Sequence, residues 1–483
     1  MRLFRRSSAR TVDPVSTSSA PTSTVSPAVL PGEEFAALRS RLHGRIRLPF
    51  EEGWDAARTP WQLVVDQRPA AVVEAADIED VALTVREARR LGLAVAPQST
   101  GHGAGTLDAS GAILLRTRGL TGITVDPDSA TARAGAGATA GALAAAAQDH
   151  GLTAVLGMAP TVGVVGMILG GGLGWFARSH GLAANSVTAI EGVDATGATV
   201  RADATRQPDL FWAARGGEAP IIVTALELSL HRTGDLQAGA LVWPIEATDQ
   251  VVRAWGAWIA DLPETVTSLV RVLRYPPIPE IPEPLRGRDF VAVEAALQAG
   301  PPATAELLAP LRAMNPMIDT VHPMAPVELA AVHGDPPDPV PAAGSSVLLG
   351  EISPKALDAF IAAALAEPSG ALLSIELRHL GGALAPGRAG GGAVSDIGGE
   401  GLVYCVGMIA APPMAGAVST AAAAVSTALA PFAAPRIVKN FAERPADPTA
   451  LYGTATDRLR GVIASWDPDG LIRAGHPLGA VRG

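Results

Sequence analysis

Cysteine is nearly absent: Cys405 is the single one among 483 residues. One thiol closes no intramolecular disulfide and builds no thiolate cluster, so a disulfide scaffold and a Cys-rich metal site are both excluded. Aromatic residues are scarce, at 4%. Basic blocks are missing beyond the first dozen positions and the formal net charge is −10, which removes the electrostatic footprint of a nucleic-acid or anionic-membrane binder. The nine histidines are scattered, and none has the His-Glu-x-x-His spacing with which a helix presents zinc ligands, so no metal is expected. Long apolar runs are lacking too. The Ala-rich stretch 409–435 is interrupted by Pro412, Pro413, Pro431 and Pro435, and no run of about 18 apolar residues that could span a bilayer is expected. Arg5-Arg6 is followed by a Ser-, Arg- and Asp-containing stretch rather than the apolar core of a secretory signal, so the expectation is a cytoplasmic protein without membrane association.

What the chain has in abundance is alanine and glycine, with 52 glycines. Such a composition suits backbone-dense packing and close approach of main chain to a ligand. Single cores rarely exceed about 250–300 residues, so two packed regions are expected. Residues 1–32 are rich in Ser, Thr and Pro without periodicity and read as a disordered tail. From 33 to 235 strand and helix signals alternate. Leu63-Val64-Val65 and Arg68 to Val73 read as short strands around a turn, and Asp77 caps a helix that Gly92 stops. From 236 to 430 prolines and Ala-rich helices mark a second domain, and 431–483 regains charge and returns to the first.

Two glycine-dense segments carry the chemistry. The first, Gln98-Ser99-Thr100-Gly101-His102-Gly103, follows the apolar strand Leu93 to Pro97; the second runs from Gly157 to Gly174 with apolar residues in its gaps. Successive backbone N–H groups in such segments converge on phosphate oxygens, and two of them point to a dinucleotide. A P-loop is excluded, because neither segment closes with Gly-Lys-Ser/Thr. Gly135-Ala136-Gly137 partly imitates a Rossmann turn, but its glycine spacing is off and no acidic residue stands about 20 positions on. His102 lies between two glycines directly after a strand, an unusual place for a core histidine.

These pieces, in order, carry a resemblance. Arg68-Pro69 to Asp80-Val81, Ser99-Thr100-Gly101-His102, Gly135-Ala136-Gly137, Gly157-Met158-Ala159-Pro160-Thr161-Val162-Gly163, Pro208-Asp209-Leu210-Phe211-Trp212, Asn440-Phe441 and Asp467-Pro468 follow one another as in a known family. The chain resembles the vanillyl-alcohol-oxidase-like FAD flavoproteins, specifically the berberine-bridge-enzyme-like oxidases, over most of 63–231 and again over 436–479. A weaker echo lies in Leu377 to Leu384. The resemblance implies an α+β fold: a PCMH-type FAD-binding domain of two α/β subdomains, with an inserted substrate domain of antiparallel sheet covered by helices. It implies FAD as cofactor, bound by Gln98, Ser99, Thr100, Gly101, His102, Gly103, Gly157, Met158, Thr161, Val162, Gly163, Gly166, Gly172, Gly174, Val223, Asn440 and Phe441. It further implies a covalent bond from His102 to the flavin. Many relatives add a cysteine link at the position of Ala159, and alanine has no nucleophile, so attachment is expected through His102 only.

Two departures stand out. Arg215-Gly216-Gly217 continues as Glu218-Ala219-Pro220-Ile221-Ile222-Val223 where the family has Gly-Asn-Phe-Gly-Val-Val, and Val438 stands where many relatives carry a catalytic tyrosine. The catalytic base is therefore unassigned. Lys439, Glu376, Arg378, Tyr404 and Asp396 are candidates to line the pocket, His379 and His476 weaker ones, and Cys405 reads as core. The expected function is oxidation of a small organic molecule, a secondary-metabolite tailoring step or a sugar-like alcohol, with hydride passing to the flavin and dioxygen as reoxidant. A redox-neutral flavoprotein performing cyclisation or elimination and a non-catalytic flavin-binding protein are the alternatives, and the oligomeric state is left open.

Overall fold

The computed structural model describes residues 32–279, 281, 283–366, 370–387, 391–473 and 475–479. The expected tail at 1–32 therefore lies outside the described residues, Gly32 apart. The first sheet joins β1 (Arg45–Arg47), β2 (Ala71–Glu74), β3 (Val95–Gln98) and β4 (Ile113–Arg116) in the order β1-β2-β4-β3. β2 and β3 both run parallel to β4, and β1 is antiparallel to β2. A parallel sheet must be covered on both faces. Ile113, Leu115 and Val73 accordingly pack with Val81 and Val85 of the helix Ile78–Leu91, while Leu114, Ala96 and Val72 pack with Ala57 on the other side. That helix begins where the Asp77 carboxylate accepts the Asp80 N–H at 3.0 Å and ends at Gly92, whose φ is 66°.

The second sheet is antiparallel: β5 (Ile123–Asp126), β6 (Thr131–Gly135), β8 (Val187–Val193), β9 (Thr199–Asp203) and β10 (Ile222–Ser229), ordered β5-β6-β10-β8-β9. A short ladder pairs β7 (Leu152–Thr153) with β11 (His231–Arg232). The third sheet has eight strands: β12 (Gln237–Pro244), β13 (Val266–Arg274), β14 (Asp289–Leu297), β15 (Ile318–Asp319), β16 (His322–Pro323), β17 (Ala342–Leu349), β18 (Ser374–His379) and β19 (Gly401–Met408). Its order is β15-β12-β14-β13-β18-β19-β17, with β16 beside β12.

Alternation along these strands decides what each face of the third sheet does. Val270, Val272, Val291, Val293, Ile375, Leu377 and Val403 pack under the helices Thr248–Ile259, Pro301–Arg312, Pro354–Leu365 and Met414–Leu429. The other face presents Leu269, Arg271, Glu294, Glu376, Arg378 and Tyr404. Leu269 and Ala296 there join a core that also holds Ala134, Met158, Ile168, Ile190 and Leu226. The charged face is thus turned toward the second sheet and the second glycine segment. The chain end returns to the first sheet: the Val95 N–H donates to Leu471 O at 2.7 Å and the Arg473 N–H to Val95 O at 2.8 Å.

Two sequence expectations are corrected. Leu63-Val64-Val65 forms no strand; Leu63 and Val64 are each 42% exposed, and the Leu63 N–H donates instead to Val340 O at 3.2 Å. The prolines leave a long helical run in the Ala-rich stretch, since Pro412 and Pro413 precede the helix, where a missing N–H is tolerated, and Pro431 lies in the 3-10 turn Ala430–Phe432 that continues it. Met414–Phe432 is a helical run long and apolar enough by length and composition to cross a membrane. In the fold its Val418, Ala422, Val425 and Leu429 are buried against the third sheet.

Candidate functional site

β3 delivers Gln98 to the carboxyl end of a parallel strand, the end at which open α/β sheets receive ligands. The backbone then turns through Gly101, whose φ of 87° suits glycine, and where a Cβ would strike Pro60 at 2.7 Å. His102 follows, its ring stacked on Trp61 with centroids 4.1 Å apart. Its Nδ1 lies 2.8 Å from Thr100 Oγ1 and its Nε2 lies 3.3 Å from Thr161 Oγ1. Thr161 belongs to the second glycine segment, and the Gly163 N–H donates to Thr100 Oγ1 at 3.3 Å. The two segments, about sixty residues apart in sequence, close on each other around one imidazole.

Burial lowers the His102 pKa to about 4, so the ring is neutral at ordinary pH and keeps a nucleophilic lone pair. The same cause acts on other imidazoles, His476 buried and His231 and His379 half-buried. His476 is lowered to about 4 by burial and then by Lys439, His231 to about 4 by burial and then by His180, and His379 to about 3 by burial and then by Arg178. A histidine whose folded pKa lies below its unfolded value of about 6.5 adds stability above that value, and loses it as pH falls toward the folded pKa. The melting temperature is therefore expected to fall steeply between about pH 6.5 and pH 4. A melting temperature constant across that window by scanning calorimetry contradicts these environments.

The site fits a dinucleotide. Among the described residues Ser99 Oγ, Gln98 Nε2 and Trp61 Nε1 are buried with no hydrogen-bond partner, and a Cβ built on Gly103 or Gly166 meets no atom within 4 Å. Unpaired buried polar groups beside open backbone are what a bound phosphate-rich ligand satisfies. Asn440 ties the C-terminal segment to this cradle, accepting the Gly172 N–H at 2.8 Å and donating to Met167 O at 3.0 Å. Gly157 belongs to the same knot, with its N–H on Met167 Sδ at 3.0 Å. At Gly174 a side chain is excluded outright, because a Cβ would lie 1.8 Å from Leu156 O. Val162 holds the start of the preceding helix, Ala140–Gln148, through its carbonyl, which accepts the Ala140 N–H at 2.9 Å. Val223 stands apart as a buried core residue of β10, opposite Gly192 in the ladder.

Above the cradle lies the charged face of the third sheet. Arg378 Nε donates to Glu376 Oε1 at 2.6 Å, Arg378 Nη1 reaches Met158 Sδ at 3.2 Å, and its guanidinium lies 4.8 Å over the Phe441 ring. Glu376 Oε2 is 3.4 Å from His333 Nε2, His333 Nδ1 is 2.8 Å from Glu294, and Glu294 meets Arg271 at 2.6 Å. Burial alone would raise the Glu376 pKa, but Arg378, His333 and Arg271 hold it below the usual carboxylate value. Tyr404, edge-on to Phe441 at 5.4 Å, donates to Glu443 Oε1 at 2.6 Å, and Glu443 Oε2 accepts the Gly344 N–H at 2.7 Å. Burial first, then Glu443, pushes the Tyr404 phenol well above its usual pKa, so it stays protonated.

Of the pocket candidates read from sequence, Glu376, Arg378 and Tyr404 are brought together here; the others are not. Lys439 instead pairs with Glu218 at 2.8 Å, and Tyr452 donates to the same carboxylate oxygen at 2.8 Å. The altered segment after Gly217 and the segment around Val438 therefore meet in a buried ion pair. Val438 itself packs among Leu173, Leu182, Leu348, Leu380, Leu384, Ile397 and Leu402. Asp396 lines a small cavity beside Gly170, Gly171, Val438 and Asn440. His379 Nε2 accepts from Arg178 Nη1 at 2.8 Å, and Cys405 is buried with its pKa raised to about 11, an unreactive thiol. Trp61, Arg116, Arg271, Glu294, His333 and Glu443 escaped the sequence reading.

His43, Asp77 and Asp80 form a grouping with metal-ligand atom types that their sequence spacing concealed. Asp80 already accepts the N–H groups of His43, Gly44 and Ala76 at 2.8 to 2.9 Å, and Asp77 caps the helix, which gives both carboxylates a structural duty.

Residues 69–203 match the FAD binding domain model. (R)-6-hydroxynicotine oxidase of Paenarthrobacter nicotinovorans is 34% identical over 205 residues, which cover 42% of this chain and 45% of that enzyme. The chain thus spans less than half the length of this curated relative. The solved 6-hydroxy-D-nicotine oxidase of Arthrobacter nicotinovorans superposes with a TM-score of 0.76 at 23% identity, covering 89% of this chain and 96% of that one. The BBE-like 1 protein of Physcomitrella patens gives a TM-score of 0.79 at 19% identity, covering 92% and 99%. Residues 69–203 thus match the FAD binding domain family, and the chain built around them shares its fold with these two solved proteins.

Proposed function

We propose that this protein is an FAD-dependent oxidoreductase that oxidises a small organic molecule, with dioxygen as reoxidant. The observation that carries the reading is the meeting of both glycine segments at a half-buried, neutral His102 beneath a sheet face bearing Glu376, Arg378 and Tyr404. A relative 34% identical over 205 residues is an oxidase of 6-hydroxynicotine, which supports a small-molecule substrate. In this reading residues 33–235 and 431–483 hold the cofactor and 236–430 supplies the substrate wall. Bound FAD supplies the acceptor for a hydride from a substrate C–H bond.

The chain's own residues do the rest. Met158, Phe441 and the guanidinium of Arg378 form one wall, and the Val438 cluster excludes water from another. With Val438 in place of a phenol, proton removal falls to Tyr404 and Glu443. A substrate hydroxyl at Tyr404 gives its proton to the phenol oxygen as Tyr404 passes its own to Glu443 Oε1, 2.6 Å away.

Anaerobic addition of small alcohols and amines to the purified protein tests this. Substrate is expected to bleach the absorbance at about 450 nm, and Tyr404→Phe to slow the bleaching by roughly a hundredfold or more. Product formation with no bleaching overturns net oxidation in favour of a redox-neutral reaction.

A further inference from the structure

The two glycine segments contain no cationic side chain: neither 98–106 nor 157–174 holds a lysine or arginine. A pyrophosphate carries two negative charges, and backbone N–H groups offer only partial positive charge in return. Directly behind the first segment, at the carboxyl end of β4, lies Arg116. It is 2% exposed, and it stands beside Gln98 in the parallel ladder. Its Nη1 donates to Gln98 Oε1, an uncharged acceptor, and its Nε is buried with no hydrogen-bond partner among the described residues. The neighbouring carboxylate, Glu74, is engaged by Arg118.

A cation in this position is costly, since a buried charge is normally retained only with an opposite charge beside it. Burial, followed by the repulsion of Arg118, lowers the Arg116 pKa to about 10; the attraction of Glu74, its ladder neighbour, opposes them without restoring the usual value, so the guanidinium is short of a full counter-ion. Gln98, 7% exposed, transmits the position of this charge to the loop: its Oε1 would lie 3.0 Å from a Cβ on Gly101, and its own Nε2 is buried and unpaired. Ser99 Oγ, also unpaired, faces Gly163 of the second segment. The unsatisfied donors thus form a row running from Arg116 through Gln98 to the point where the segments meet.

We propose that Arg116 is the counter-charge of the FAD pyrophosphate, held behind the glycine loop and acting on it through Gln98. The inference rests on the FAD reading above. It assigns the phosphate charge to a strand residue outside both glycine segments, and it makes the site selective for flavin nucleotides over phosphate-free flavins.

The test compares FAD with riboflavin, which lacks both phosphates, in the His102→Ala protein, where flavin is exchangeable. Arg116→Met keeps the volume without the charge, a replacement that buried sites tolerate. Loss of a charge-assisted contact weakens FAD binding by roughly ten- to a hundredfold, while riboflavin affinity is expected to be unchanged. Arg116→Lys, which keeps the charge, is expected to retain most of the FAD affinity and serves where the methionine variant does not fold. Equal weakening of FAD and riboflavin with a lower melting temperature shows a structural arginine and overturns the proposal, as does FAD binding unaffected by Arg116→Met. A parent protein that binds riboflavin and FAD equally well overturns it alone; one that binds neither flavin overturns the FAD reading as well.

Discussion

His102→Ala is expected to abolish covalent flavin attachment entirely, leaving a protein whose flavin is released by acid. Among the described residues of the loop, His102 is the nucleophile at the junction of the two segments, fixed by the Trp61 stack and by the hydroxyls of Thr100 and Thr161. Its low pKa matters as much as its position, because a protonated imidazole has no lone pair to form the bond. The neighbouring segment supplies Ala159, so no second attachment rescues the variant. In an acid-treated denaturing gel, yellow fluorescence should travel with the unmodified protein and be missing from His102→Ala. Flavin released from both proteins would show that His102 positions the cofactor without bonding it.

Glu376→Ala should be the most destabilising single change on the third sheet. It removes the carboxylate that Arg378 and His333 share at 2.6 and 3.4 Å, and leaves the Arg378 charge buried in a row that also holds Arg271 and Glu294. Breaking a buried ion pair from one side costs about 3–5 kcal/mol, against a total stability of about 5–15 kcal/mol. Glu376→Gln keeps an acceptor and should cost less. Equilibrium unfolding in urea reads the difference as a lower midpoint for the alanine variant. Equal midpoints for alanine, glutamine and the parent would mean that this cluster is solvated rather than buried.

The cofactor half of the site was open to sequence reading because its signal is local. Glycines that permit φ > 0 at Gly101 and leave open backbone at Gly103 and Gly166 lie within short stretches, and the strand that feeds them is an apolar run. The same holds for the capped helix after Asp77. The substrate wall was less accessible. Strand β18 does alternate, as Ile375, Glu376, Leu377 and Arg378, yet the partners that explain its charges come from β13, β14 and the turn at His333, between 43 and 107 residues away. Pairing of that range depends on strand register, which period alone does not supply. Arg116 was passed over because an arginine at a strand end ordinarily reads as exposed. Leu63 to Val65 misled for the opposite reason: three apolar residues look like a buried strand, but they lie on the surface beside Val340. Lys439 and Glu218, both flagged at departures from the family pattern, gave no hint that they neutralise each other across 221 positions.

The central claim is that the two glycine segments hold one FAD at His102. Intact mass and visible absorbance of the gel-filtered protein test it most directly. The expected result is a chain heavier than its sequence by a single FAD, with a flavin band at about 450 nm that survives denaturation. A colourless protein of bare sequence mass that also takes up no FAD on incubation would contradict the claim.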